Sequence, residues 1–149
     1  MVCGSWFVER NKAQDKQGRE MNDTKKQILS YKDLKIWNMG IDIVNKTYIL
    51  TDQFPSVERY SLSAQMRRAA VSIPSNIAEG FMRYHKKEYI QFLYIALGST
   101  AELETQLYIS KKRKYVKENI FSNLQEDLDY EKRMMINLIK GLRKYKNER

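Results

Sequence analysis

The side chains able to do covalent or metal chemistry are few. The 149-residue chain has one cysteine, Cys3, and one histidine, His85, so Cys–His nucleophile pairs and the clustered ligands of most metal hydrolases lack their parts. No Gly-rich loop of the P-loop or dinucleotide type occurs. A helical-bundle ribonuclease that places an arginine about four to six residues before its histidine finds Glu79 and Gly80 there, after Ala78. Glu79 and Glu102 form a candidate carboxylate pair, and two carboxylates without a third ligand hold a hard cation poorly. These residues predict no enzyme, no cofactor and no metal.

Charge is the stronger signal. Lys and Arg number 27 against 18 Asp and Glu, for a formal net charge of +9 and a pI near 9.6. Such a balance favours polyanionic partners and steers them in from a distance. Nucleic acid is the first candidate and an anionic membrane the second. A mean hydropathy of −0.65 with 30% charged residues argues against a membrane protein. A lone cysteine fits a reducing cytoplasm.

The elements that must position these charges are helical. Six Gly and two Pro give too little turn chemistry for a sandwich or barrel. No signal peptide is expected in the first residues, because Glu9, Arg10 and Lys12 interrupt the apolar stretch. Residues 1–30 are expected to be a disordered arm, with Met21 an alternative start. The first helix shows Trp37, Ile41, Val44 and Tyr48 at helical spacing beside Ile36, Gly40, Ile43 and Leu50, with Asp33 at its start. Pro55 stops it near Gln53. The second carries Leu62, Met66, Ala69, Ile73 and Ile77, a kink at Pro74 and a stop at Gly80. The third, over 86–111, buries Ile90, Leu93, Leu97, Thr100, Leu103 and Leu107. The fourth repeats Phe121, Leu124, Leu128, Glu131, Met135, Leu138, Leu142 and Tyr145, with Glu131 as its one polar intruder. Short links at 54–58, 82–84 and 114–118 favour an all-α, antiparallel up-down-up-down four-helix bundle over 31–149.

That topology sorts the cations. Lys32, Lys35, Arg83, His85, Lys86, Lys87, Arg143, Lys144, Lys146 and Arg149 gather at one end, and Lys111, Lys112, Arg113, Lys114 and Lys117 at the other, near Tyr108 and Tyr115 as stacking rings. Both ends can hold phosphates, with Arg67 on the second helix as a further contact. The competing explanation is that cations near helix C-termini complement the helix dipole. A polar stripe of Gln65, Arg68, Ser72, Asn76 and Glu79 faces Ser99, Glu102 and Gln106, and an Arg68–Glu102 pair would anchor it. Such a seam fixes helix register or an oligomer interface more readily than it catalyses.

The run YSLSAQMRRAAVSIPSNIAEGFMRYHKKEYIQFLYIALGSTAELETQL, residues 60–107, and the opening YKDLKIWNMGIDIV resemble the four-helix-bundle proteins encoded in intervening sequences of bacterial 23S rRNA genes. That family includes the accessory protein of diversity-generating retroelements. The resemblance covers roughly 30–144. It implies a cytoplasmic homopentamer with a basic surface and, in the retroelement branch, binding to RNA and to a reverse transcriptase. The expected function is a non-catalytic, RNA-binding oligomer without a membrane role; the alternative is a protein-interaction scaffold such as a reverse transcriptase accessory subunit.

Overall fold

Ser30 caps the first turn of the described residues. In the computed structural model, which describes residues 28–144, its hydroxyl accepts the Lys32 N–H at 3.3 Å while the Asp33 carboxylate accepts the Ser30 N–H at 3.1 Å, a reciprocal capping box. The box closes the 3-10 turn Tyr31–Asp33, so Asp33 is a first-turn acid of that turn and not the cap of the long helix behind it. Ile28 packs on the core, so 28–30 belong with the bundle. The rest of the expected arm lies outside the described residues, as do Tyr145, Lys146 and Arg149.

Four helices follow: α1 (Lys35–Asp52), α2 (Leu62–Met82), α3 (Lys86–Lys112) and α4 (Glu118–Lys144). Their pairings give the topology. Arg67 near the start of α2 bonds Thr51 at the end of α1. Ser110 near the end of α3 reaches Met66 near the start of α2, with the hydroxyl 3.3 Å from the sulfur. Arg143 near the end of α4 lies over the Tyr94 ring near the start of α3. Lys46 of α1 donates to Asn123 at 2.8 Å and to Asp127 at 2.5 Å on α4, closing the ring of helices. Successive helices therefore run antiparallel, in the expected up-down-up-down order.

Glycine roles differ from the sequence expectation. Gly80 does not stop α2, which continues to Met82. A Cβ on Gly80 would lie 2.7 Å from the Phe92 Cβ and 2.9 Å from the Tyr89 ring, so its glycine allows close approach to α3. The helix ends instead where Arg83 turns extended (φ −74°, ψ 142°). Pro74 lies inside α2, buried, and a Cβ on Gly40 would meet its ring at 3.2 Å. Gly40 and Pro74 thus form a matched contact between α1 and α2.

The core contains Ile43, Met66, Ile73, Ile77, Leu93, Leu103, Leu107, Leu124, Leu128 and Met135, all fully buried, each worth about 1.5–3 kcal/mol in burial. On α1 the buried face is Ile36, Gly40, Ile43, Thr47, Leu50 and Thr51. The stripe of Trp37, Ile41 and Val44 is only half buried and Tyr48 is exposed. Thr47 and Thr51 tolerate burial because their hydroxyls donate to the Ile43 and Thr47 carbonyls, each at 2.8 Å.

Candidate nucleic-acid interface

At the end where α3 turns into α4, the backbone holds a lysine in an unfavourable conformation. The Lys114 N–H bonds the Lys111 carbonyl and the Tyr115 N–H bonds the Ser110 carbonyl, both at 2.9 Å, the paired bonds of a Schellman cap. Lys114 occupies the left-handed position of that cap at φ 61°, where glycine or asparagine is usual. Tyr115 is then carried against Phe54, with ring centroids 5.4 Å apart. Its hydroxyl donates to Glu58 at 3.0 Å and accepts from Arg113. Ser61 first, then Tyr115, holds the Glu58 carboxyl below its usual pKa, and Tyr115 raises that of Arg113. The turn is tied to the α1–α2 link.

The cations of this end are mostly unpaired. Lys111 bonds Glu118 at 2.9 Å and lies over Phe121, whereas Lys112, Arg113, Lys114 and Lys117 have no carboxylate within salt-bridge distance among the described residues. Lys111 and Lys112 lie in the last turn of α3, where the dipole welcomes them. Lys117 does not: its carbonyl accepts the Phe121 N–H and opens α4, an end where positive charge is unfavourable.

The opposite end draws its cations from several elements. Arg83 pairs with Glu79 and lies over the Phe92 ring at 4.9 Å, and Arg143 lies over Tyr94 at 5.5 Å. Arg143 and Lys144 complement the C-terminus of α4. Lys86 and Lys87, in the first turn of α3, stand against its dipole. His85 precedes them, edge-on to Tyr84 at 5.0 Å, and Lys32 in the 3-10 turn and Lys35 at the start of α1 are exposed.

The remaining candidates are engaged within the bundle. Arg67 donates to Thr51 at 2.8 Å and Asp52 at 2.6 Å, and covers the Tyr48 ring at 4.7 Å. The polar seam is shorter than expected. Ser72 and Ser99 share a hydrogen bond of 2.8 Å, Asn76 donates to the Ser72 carbonyl and hydroxyl, and Gln106 donates to Glu102 at 3.2 Å. The Arg68–Glu102 pair does not form: both side chains point to solvent, as does Gln65, while Glu79 turns to Arg83. With both ions hydrated there is no desolvation to repay and little gain in fixing the pair.

The matching family model spans residues 32–137 and describes a 23S rRNA-intervening sequence protein. The chain belongs to that family. Among solved structures, a crystal structure of a protein of unknown function from the S23 ribosomal protein family of Bacteroides thetaiotaomicron has the same fold. Its TM-score is 0.66 at 21% identity, over 70% of this chain and 98% of that one. No curated protein matches the chain. No helix among the described residues is long and apolar enough to cross a membrane.

One residue of this family member is conspicuous in the sequence but has no role there. Glu131, at the midpoint of α4, is fully buried and neither carboxylate oxygen has a hydrogen-bond partner among the described residues. Desolvation pushes its pKa up to about 8, so the folded chain carries it neutral at pH 7. By contrast, sequence spacing does not single out Glu58, because its bond to Tyr115 depends on the left-handed turn at Lys114.

Proposed function

We propose that this chain is a non-catalytic, self-associating bundle of the cytoplasm that binds RNA through its basic ends. What carries this reading is that Lys87 and Lys117 stand where the helix dipole disfavours cations, and Lys114 stands where the backbone does. Local stability explains Lys111, Lys112, Arg143 and Lys144. It does not explain Lys87, Lys114 or Lys117, and sites that keep unfavourable charges and dihedrals are commonly functional. Lys112, Lys114 and Lys117, exposed and without a carboxylate partner among the described residues, suit phosphates.

Self-association is supported by the outer face of α3, where Tyr94 and Tyr108 are 46% and 49% exposed with Gly98, Ala101 and Thr105 between them. A Cβ on Gly98 would meet nothing within 4 Å. Nothing inside the subunit requires a mid-helix glycine there, and glycine costs about 1 kcal/mol against alanine. A neighbouring subunit pressed on this face would require it, in keeping with the pentamer that the family resemblance implies.

Anisotropy titration of a structured RNA and an equal-length DNA duplex over a salt series tests the reading. RNA affinity should fall with a log–log slope of roughly −0.7 to −0.9 per neutralised phosphate. Absence of RNA binding at low salt rejects it and leaves a scaffold for an acidic protein such as a reverse transcriptase.

A further inference from the structure

At the junction of α1 and α2 the chain forms a pocket of about 360 Å³, within the size range of small-ligand sites. Asp52 comes from the last turn of α1, Ser56 and Arg59 from the link, and Ser63 and Arg67 from the first turns of α2. Ser63 is 3% exposed, yet its hydroxyl has no hydrogen-bond partner among the described residues. Arg59 has no acidic partner among them either. At the start of α2 the Ser61 hydroxyl donates to Glu58, and the same carboxylate oxygen accepts the Leu62 N–H at 3.4 Å.

Asp52 is the acid in this wall, and it is replaceable. Among the described residues only Arg67 holds Asp52, at 2.6 Å, and the Asp52 side chain is 71% exposed. An anion entering the pocket takes its place on a guanidinium already oriented by Thr51 and Tyr48. The anion best matched is a phosphate monoester, which carries up to two charges and three strong acceptor oxygens, enough for Arg59, Arg67 and Ser63 together. An internal diester has one charge and is tethered on both sides. Tyr60, 89% exposed and next in sequence to Arg59, is a solvent-exposed ring on the same link.

We propose that this pocket receives the terminal phosphoryl group of a nucleic-acid strand, held by Arg59, Arg67 and the Ser63 hydroxyl. The proposal rests on the RNA reading and adds a strand-end subsite to it. Everything needed lies within one subunit, and the pocket opens at the same end of the bundle as Lys111, Lys112 and Lys114.

The test uses the full chain and one RNA sequence in three forms: 5′-phosphorylated, 3′-phosphorylated, and hydroxyl at both ends. Anisotropy should show one phosphorylated form bound at least about tenfold tighter than the hydroxyl form, the scale of one added charge-assisted hydrogen bond. R59A and S63A, checked for native helicity and melting, should each cut that preference to about threefold or less, and D52N should raise it. Equal affinity for all three RNAs in the unmodified chain overturns the pocket and leaves the RNA reading standing. A preference that survives in R59A and S63A overturns the location. A nucleoside monophosphate that competes as strongly as the RNA end assigns the pocket to a free nucleotide and overturns the strand-end proposal. No binding of any RNA at low salt overturns both readings.

Discussion

The two ends of the bundle use the same residue types differently. Where α3 turns into α4, the cations come from one continuous stretch, and a Schellman cap with its Glu58–Tyr115 tie fixes the backbone that carries them. Where α2 turns into α3, they come from separate elements, and the arginines are engaged by neighbours: Arg83 by Glu79 and Phe92, Arg143 by Tyr94. The first end presents unpaired charge on a preorganised turn; the second presents charge partly neutralised in place. Preorganised, unpaired donors lose less on binding, so the α3–α4 end should be the stronger RNA contact.

The largest expected effect lies between the ends and separates folding from binding. Glu131 keeps its proton up to about pH 8 when folded and releases it near its ordinary value of 4.5 when unfolded. The native state therefore binds more protons between those values, and stability is highest at the acidic side and falls as pH rises toward 8. Urea unfolding should lose on the order of 3 kcal/mol between pH 5 and pH 8, and E131Q should flatten that dependence. A flat profile in the unmodified chain would show that Glu131 finds a partner or water. Because Glu131 is remote from both ends, E131Q should leave the salt slope of RNA binding unchanged.

Charge reversal sharpens the comparison next. R113E with K114E and K117E should weaken RNA binding about a hundredfold and lower the salt slope by about 2 to 3, measured by anisotropy. K86E with K87E should cost about tenfold. Equal losses at the two ends would break the comparison, since preorganisation would then count for nothing. The smallest effect is K114G, which relieves the left-handed strain and should raise unfolding stability by about 1 kcal/mol while weakening RNA binding a few-fold.

The fold is readable because its signals repeat. Leu93, Leu103 and Leu107, or Phe121, Leu124 and Leu128, recur at helical spacing and are all buried. Sequence misleads at residues whose role depends on a neighbour. Thr47 and Thr51 look polar but hide their hydroxyls on backbone carbonyls. Gly80 looks like a terminator until Tyr89 and Phe92 are placed beside it. For the candidate interface, sequence and topology are enough to group the cations at two ends. They are not enough to tell Arg67, clamped between Asp52 and Tyr48, from Lys112, which has no acidic partner among the described residues. Side-chain pairing is decided by geometry of a few ångströms, and composition does not encode it.

The most direct test of RNA binding at the α3–α4 end is the salt dependence of affinity for one structured RNA, measured in parallel for the unmodified chain and the R113E, K114E, K117E variant. A steep negative slope in the unmodified chain, shallower by about 2 to 3 in the variant, is the predicted result. Identical slopes in two equally stable proteins would contradict the account.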